Sequence, residues 1–212
     1  MKKEKIILIL NGELPCGKSF SFFLKQYDSI ICADGAANKI IKLGIEPNYI
    51  LGDLDSIDNC YLEKNNNKII ELKNQNYNDL YKSLLWCKEK NIKYIDIIGI
   101  DGKRIDHTIG NFNIILDCIS FIDITIYTEY GTIYTIDKER IFKNCYKKDI
   151  SIFNSVLTNK ITTHGLKYEL DNTCLKKLYT GTLNIAIEHE IKNRTKNKIL
   201  IYIGEKNSAF ID

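Results

Sequence analysis

Apolar residues follow two regimes along this chain, with the change near residue 137. Before it, short aliphatic runs at residues 6–10, 30–33, 49–51, 68–72, 94–98 and 122–127 alternate with stretches of helical period. The run Tyr94-Ile95-Asp96-Ile97-Ile98 is nearly continuous in large apolar residues, as a strand covered on both faces must be, and is expected to be central. Helices are predicted over 19–25, 35–43, 78–90 and 106–118, with a weaker one over 56–65. Ala36, Ala37, Ile40 and Leu43 share one face, as do Leu80, Leu84 and Cys87, with Trp86 packing nearby. Gly44 is placed to stop its helix, and Pro47 forbids continuation. Alternating strand and helix imply an α/β layer with a mainly parallel sheet and helices on both faces.

Beyond residue 137 the helical period vanishes. Runs at 150–153, 160–163, 166–170, 182–187 and 199–203 are separated by Asn, Lys and Gly turns, and 193–198 reads as an exposed hairpin turn. That pattern predicts a small antiparallel sandwich or barrel. Two domains are therefore expected, residues 1–137 and 138–212.

Composition narrows the class. With 44% apolar and 27% charged residues among 212, the chain can bury a real core. Its net charge of +3 is too small to argue for nucleic acid or an anionic membrane. The seven cysteines are odd in number and never form C-x-x-C pairs, which argues against a disulfide framework or a zinc site. The three histidines are too scattered for a zinc triad. The apolar run at 6–10 is too short for a signal segment or a membrane span, so a reducing cytoplasm is expected.

Five aspartate-bearing turns punctuate the first regime: Ala33-Asp34-Gly35, Gly52-Asp53-Leu54-Asp55-Ser56, Asn78-Asp79, Asp101-Gly102 and Arg104-Ile105-Asp106-His107. Most follow a predicted strand, where open α/β sheets gather their ligands. Carboxylates gathered there repel one another unless a hard cation lies between them, which fits Mg²⁺ with phosphate oxygens. Asp53 and Asp55 straddle one residue, so in extended geometry both face one side and can share a metal. The stretch from Asp101 to His107 opens a helix, and its free N–H groups with Lys103 and Arg104 offer positive charge to a polyphosphate. The plainer reading is that Asp53, Ser56, Asp106 and His107 only begin or cap helices.

A second signal competes. Gly12 to Ser19 has the phosphate-loop spacing, a glycine, four residues and Gly17-Lys18-Ser19, between a predicted strand and helix. Glu13 would set a carboxylate among amides meant for phosphate, and Pro15 removes one of those donors. A phosphate-loop kinase or NTPase is thus the alternative to the acidic site. A phosphatase using Asp53 and a non-catalytic ATP sensor stand behind it.

Taken together, Cys32-Ala33-Asp34-Gly35-Ala36-Ala37-Asn38, the stretch from Pro47 to Ile57, Asn78-Asp79-Leu80 and the stretch from Gly102 to Asn111 resemble the thiamine pyrophosphokinases in order and spacing. Thr162 to Leu170 is similar to the family's Gly-Leu-Lys-Tyr segment, and Gly181-Thr182-Leu183-Asn184 to its Ser-Asn turn. The resemblance implies transfer of the pyrophosphoryl group of ATP to the hydroxyl of thiamine, giving thiamine diphosphate and AMP. It also implies a Rossmann-like nucleotide domain followed by a β-sandwich, in a homodimer that binds thiamine between one subunit's nucleotide domain and the other's sandwich. By motif, Asp53, Asp55 and Asp79 correspond to the Mg²⁺ ligands. Asn11, Gly12, Asp34, Gly35, Asn38, Lys103, Arg104, His107 and Asn111 correspond to the ATP side, and Gln75, Gly165, Leu166 and Asn184 to the thiamine side. Asp79, Asp106 and Arg104 are the expected catalytic residues, an acid helping to deprotonate thiamine. The chain departs from the family at Asn74, Asn76 and Asn78, which replace two acids and a threonine, at Lys103 within Gly-Gly-Arg, and at Leu183, which replaces serine.

Overall fold

A computed structural model describes residues 4–15, 18–55, 57, 68–74, 76–102, 104–205 and 207. The first half is the expected alternation: β1 Ile6–Ile9, α1 Lys18–Leu24, β2 Ser29–Ala33, α2 Ala36–Lys42, β3 Tyr49–Gly52, β4 Ile69–Glu71, α3 Asp79–Glu89, β5 Tyr94–Ile98, α4 Ile105–Cys118 and β6 Asp123–Thr128. The helix expected over 56–65 falls outside the described residues, apart from Ile57. Strands pair in the order β6-β5-β1-β2-β3-β4, all parallel. Apolar side chains leave both faces of this sheet. Leu8, Ile31, Leu51 and Ile97 pack with α3 and α4, whereas Ile7, Ile9, Cys32 and Ile50 pack with α1 and α2. That is why these runs are apolar without alternation.

The chain winds outwards from β1 through β2 and β3 to β4, then returns to the other side of β1 as β5. The reversal leaves a crevice beyond the carboxyl ends of β1 and β5, where the flanking connections depart in opposite directions.

The second half continues the same sheet. Strand β7 Gly131–Ile136 pairs antiparallel with β6, followed across the sheet by β14 Ile199–Gly204, β9 Asp149–Phe153 and β12 Asn184–Ile185. A second sheet, β11 Thr173–Cys174, β10 Lys160–His164, β13 Ile191–Thr195 and β8 Glu139–Phe142, is antiparallel. Ile136, Ile150, Ile152, Ile201 and Ile203 of the first sheet meet Phe142, Ile161 and Ile191 of the second, closing a sandwich.

Two sequence expectations are corrected. Residues 166–170 form no strand, only a single bridge from Leu166 to Ala186. Their polar groups are satisfied locally instead: the Glu169 carboxylate accepts from the Leu166 amide at 2.9 Å and from the Thr163 hydroxyl at 2.5 Å. Residues 193–195, expected in a turn, belong to β13, with Asn193 fully buried against the core. An asparagine in that position hides a strand from any reading of apolar period.

Candidate active site

A cleft of about 470 Å³ opens at the β1/β5 crevice. Its walls are Leu10 to Gly12 after β1, Ala33 and Asp53 at the ends of β2 and β3, Gly99 to Asp101 after β5, and the first turns of α3 and α4. The loops after β1 and β5 touch backbone to backbone. A Cβ on Gly12 would lie 2.2 Å from the Gly99 carbonyl oxygen, so only glycine fits. The Gly12 amide donates to that carbonyl at 2.9 Å, and the Glu13 amide to Asp101 at 2.7 Å. These amides are committed to the neighbouring loop. Among the described residues α1 begins with Lys18 and Ser19 and has seven residues, and Cys16 and Gly17 lie outside them. The phosphate-loop alternative is not favoured.

The acids converge. Asp34 follows β2 with φ of 41°, 7% exposed, its amide bonded to Leu51 O at 2.8 Å. Gly52 makes room for it, since a Cβ there would approach the Asp34 Cβ to 2.9 Å. Asp53 and Asp55 are not brought together by extended backbone, as the D-x-D spacing suggested. The chain turns at Leu54, whose φ is 70°, a conformation that costs a branched side chain of order 1 kcal/mol. Carboxylate oxygens of Asp34, Asp53 and Asp55 all lie within 4.8 Å of one another. At that spacing each like-charged pair costs roughly 1–3 kcal/mol across the dielectric range of a protein surface, which a hard cation would reverse.

Asp79 is the first residue of α3, behind an Asn78 cap whose side chain accepts from the Tyr81 amide at 3.0 Å. Its carboxylate meets the Lys82 ammonium at 2.7 Å, and the same ammonium is 4.0 Å from Asp53. Lys82 was not a candidate from sequence: three residues after an aspartate on a helix, it reads as an ordinary surface pair.

At the start of α4, Arg104 grips Asp106 through two bonds, Nε to Oδ1 at 3.1 Å and Nη2 to Oδ2 at 2.6 Å. The guanidinium holds the Asp106 carboxyl below the usual carboxylate range, and Asp106 in turn raises Arg104. His107, Thr108 and Asn111 extend this wall. Asn78 Nδ2 donates to Asn111 Oδ1 at 2.9 Å, and Asn111 Nδ2 donates to Ile100 O at 3.2 Å, locking α3, α4 and the β5 loop together. Burial pushes the Asp101 carboxyl up, against its own backbone hydrogen bond and with help from Glu13 and Glu129.

Several candidates lie elsewhere. Gly35 and Asn38 sit at the start of α2 without lining the cleft. One turn on, Lys39 ties α2 to the site by donating to Gly12 O at 2.7 Å. Leu166 is buried in the sandwich core, beside Gly165 with φ of 88°. Asn184 is bonded twice to the Tyr168 backbone, at 3.1 and 2.7 Å, while Leu183 is 90% exposed. No described residue of the sandwich lines the cleft. Gln75 and Lys103 lie outside the described residues.

The family model for the thiamin pyrophosphokinase catalytic domain matches residues 20–128, and that for the thiamin pyrophosphokinase substrate-binding domain matches residues 131–202. A thiamin pyrophosphokinase of Caenorhabditis elegans is 28% identical over 205 residues, covering 85% of this chain and 80% of its own. One from Oryza sativa subsp. japonica is 25% identical over 236 residues, covering 95% and 87%. Among solved structures, the Bacillus subtilis thiamine pyrophosphokinase superposes with a TM-score of 0.74 at 23% identity, over 96% of this chain and 100% of that one. The yeast enzyme does so at 0.76 and 19%, over 100% and 90%. At such identity these two likenesses establish the fold.

Proposed function

The chain belongs to the thiamin pyrophosphokinase family and is an enzyme of that kind with ATP as co-substrate, and we propose that the pyrophosphoryl group passes to the thiamine hydroxyl in the cleft at the β1/β5 crevice, leaving AMP. The observation that carries this placement is the meeting of Asp34, Asp53 and Asp55, of which Asp53 lines the cleft together with the first turns of α3 and α4. Oxygen-only donors at this spacing suit a hard ion, so Mg²⁺ would be held by Asp53 and Asp55 with Asp34, and Asp79 would complete the rim. When bound, the ion would neutralise polyphosphate oxygens and orient the nucleotide.

Pyrophosphoryl transfer depends on alignment and charge stabilisation more than on covalent help. Asn11, Gly12, His107 and Asn111 line the wall where the nucleotide would lie. Arg104 projects from the cap of α4 towards the same space, and Asp106 fixes its guanidinium. A carboxyl held low by arginine is a weak proton acceptor, so Asp106 serves better as the orienter of Arg104 than as a base. Asp79, paired with the Lys82 ammonium at 2.7 Å, is restrained in the same way.

Division of labour follows the two expected domains, 1–137 for nucleotide and cation and 138–212 for thiamine. Gly165, Leu166 and Asn184 lie in the sandwich while the cleft is walled by residues 10–111 alone among those described, which favours a second copy bringing its sandwich to this cleft. Exposed Tyr168, Tyr179 and Leu183 give that copy an apolar surface to cover. The free thiols Cys32, Cys87, Cys118, Cys145 and Cys174 suit a reducing cytoplasm. No helix among the described residues is long and apolar enough to cross a membrane.

Incubation with ATP, Mg²⁺ and thiamine, with products resolved, tests the reading. AMP with thiamine diphosphate is expected, while ADP, free phosphate or untouched ATP would contradict it. Asp53→Asn should lower kcat at least about 100-fold, and Lys18→Ala should change it by no more than a few-fold.

A further inference from the structure

Lys82 is a charged residue at a core position. On α3 it stands among Leu80, Ser83, Leu84 and Cys87, all buried, and is itself 7% exposed. Burying an ammonium is costly unless several acceptors surround it. Here three elements supply them. Asp79 on α3 is 2.7 Å away, Asp53 beyond β3 is 4.0 Å, and the Leu72 carbonyl beyond β4 is 3.5 Å. The Leu72 amide also donates to Gly52 O at 2.7 Å, so the ammonium sits where the ends of β3 and β4 meet the first turn of α3. Packing alone would be served by methionine or leucine. Charge is what this position adds, and it is spent on two carboxylates of the acidic rim.

We propose that Lys82 is a positioning residue: its buried ammonium holds the Asp79 and Asp53 carboxylates towards the cleft and weakens the rim's attraction for a free divalent cation, so that the cation enters with the polyphosphate rather than ahead of it. The inference rests on the reading of the cleft as a cation and nucleotide site. A fixed positive charge this close to Asp53 opposes an incoming cation, and the polyphosphate supplies the negative charge that offsets the opposition. Restraint on Asp79 and Asp53 keeps them aimed at the reacting groups, where small displacements are costly in rate.

Lys82→Met fills the same space without the charge, and Asp79 and Asp53, with side chains 37% and 40% exposed, can turn to water, so the fold should persist. Titration of the nucleotide-free protein with Mn²⁺ alone, followed calorimetrically and by spin resonance, should show about three- to tenfold tighter binding in Lys82→Met than in the parent. At saturating ATP, Mg²⁺ and thiamine, its kcat should fall at least about tenfold. Lys82→Arg should keep the parent's Mn²⁺ affinity and recover part of the rate. A merely structural lysine would give weaker or equal Mn²⁺ binding together with lower thermal stability. Unchanged or weaker binding in a folded Lys82→Met protein overturns the proposal, as does a Lys82→Arg protein indistinguishable from Lys82→Met, or Mn²⁺ binding to neither the parent nor Lys82→Met. A parent that binds Mn²⁺ and gives these shifts yet makes no thiamine diphosphate would sink the functional reading and leave the metal-binding half of the role of Lys82 standing.

Discussion

Two asparagines in the sandwich show how differently one residue type can behave when buried. Asn159 is 1% exposed and bonds to the Thr195 hydroxyl at 2.8 Å, to Asn154, and to the Asn197 amide at 3.1 Å. Asn193 is as deeply buried, yet neither its Oδ1 nor its Nδ2 has a hydrogen-bond partner among the described residues. Replacing Asn159 with leucine strands several polar atoms and should cost about 1–3 kcal/mol, whereas Asn193→Leu removes two unmet ones and should be neutral or stabilising. Urea unfolding of both variants reads the contrast directly. Asp101 offers a test with pH. Because its carboxyl is raised in the folded chain, the protonated form is favoured by folding; that contribution is full below the unfolded value near about pH 4 and is lost as pH rises through the folded value. Asp101→Asn should therefore raise the thermal midpoint at pH 7, with the gain vanishing below about pH 4.

The elements position chemistry through their ends. Every acid of the rim follows a strand or opens a helix, and strand ends and helix starts are visible in sequence as an apolar run meeting a polar turn. Asp34, Asp53, Asp55 and Asp79 were therefore legible as candidates. The geometry between them was not. It depends on Leu54 taking a positive φ and on Gly52 clearing space for Asp34, both decided by how β2 and β3 lie side by side. Helix α3 is the element whose start matters most, since Asn78 both caps it and reaches Asn111. Asn78→Ala should cost about 1 kcal/mol from the cap alone, measured by denaturant midpoint. Its rate should fall as well, through loosening of Asp79.

At the scale of the molecule, one sheet, of ten strands among the described residues, carries the parallel layer into the sandwich through the β6–β7 hairpin. The cleft belongs to the first part, the apolar Tyr168 and Leu183 surface to the second. If a second copy joins them, Leu183→Asp should shift the mass seen by light scattering from dimer to monomer and raise KM for thiamine at least about tenfold, with the fold intact. A parent that is monomeric at micromolar concentration would count against that assembly.

Periodicity, turn residues and the order of the acidic motifs determined the α/β alternation, the sandwich and the kind of chemistry, because each is written in residues close in sequence. Tertiary structure alone decided which carboxylates meet, that Lys82 is buried among them, that the Gly12 and Glu13 amides are taken by the β5 loop, and that Asn193 lies inside a strand. Those outcomes depend on contacts between segments tens of residues apart, and local pattern carries no record of which distant group will fill a given space.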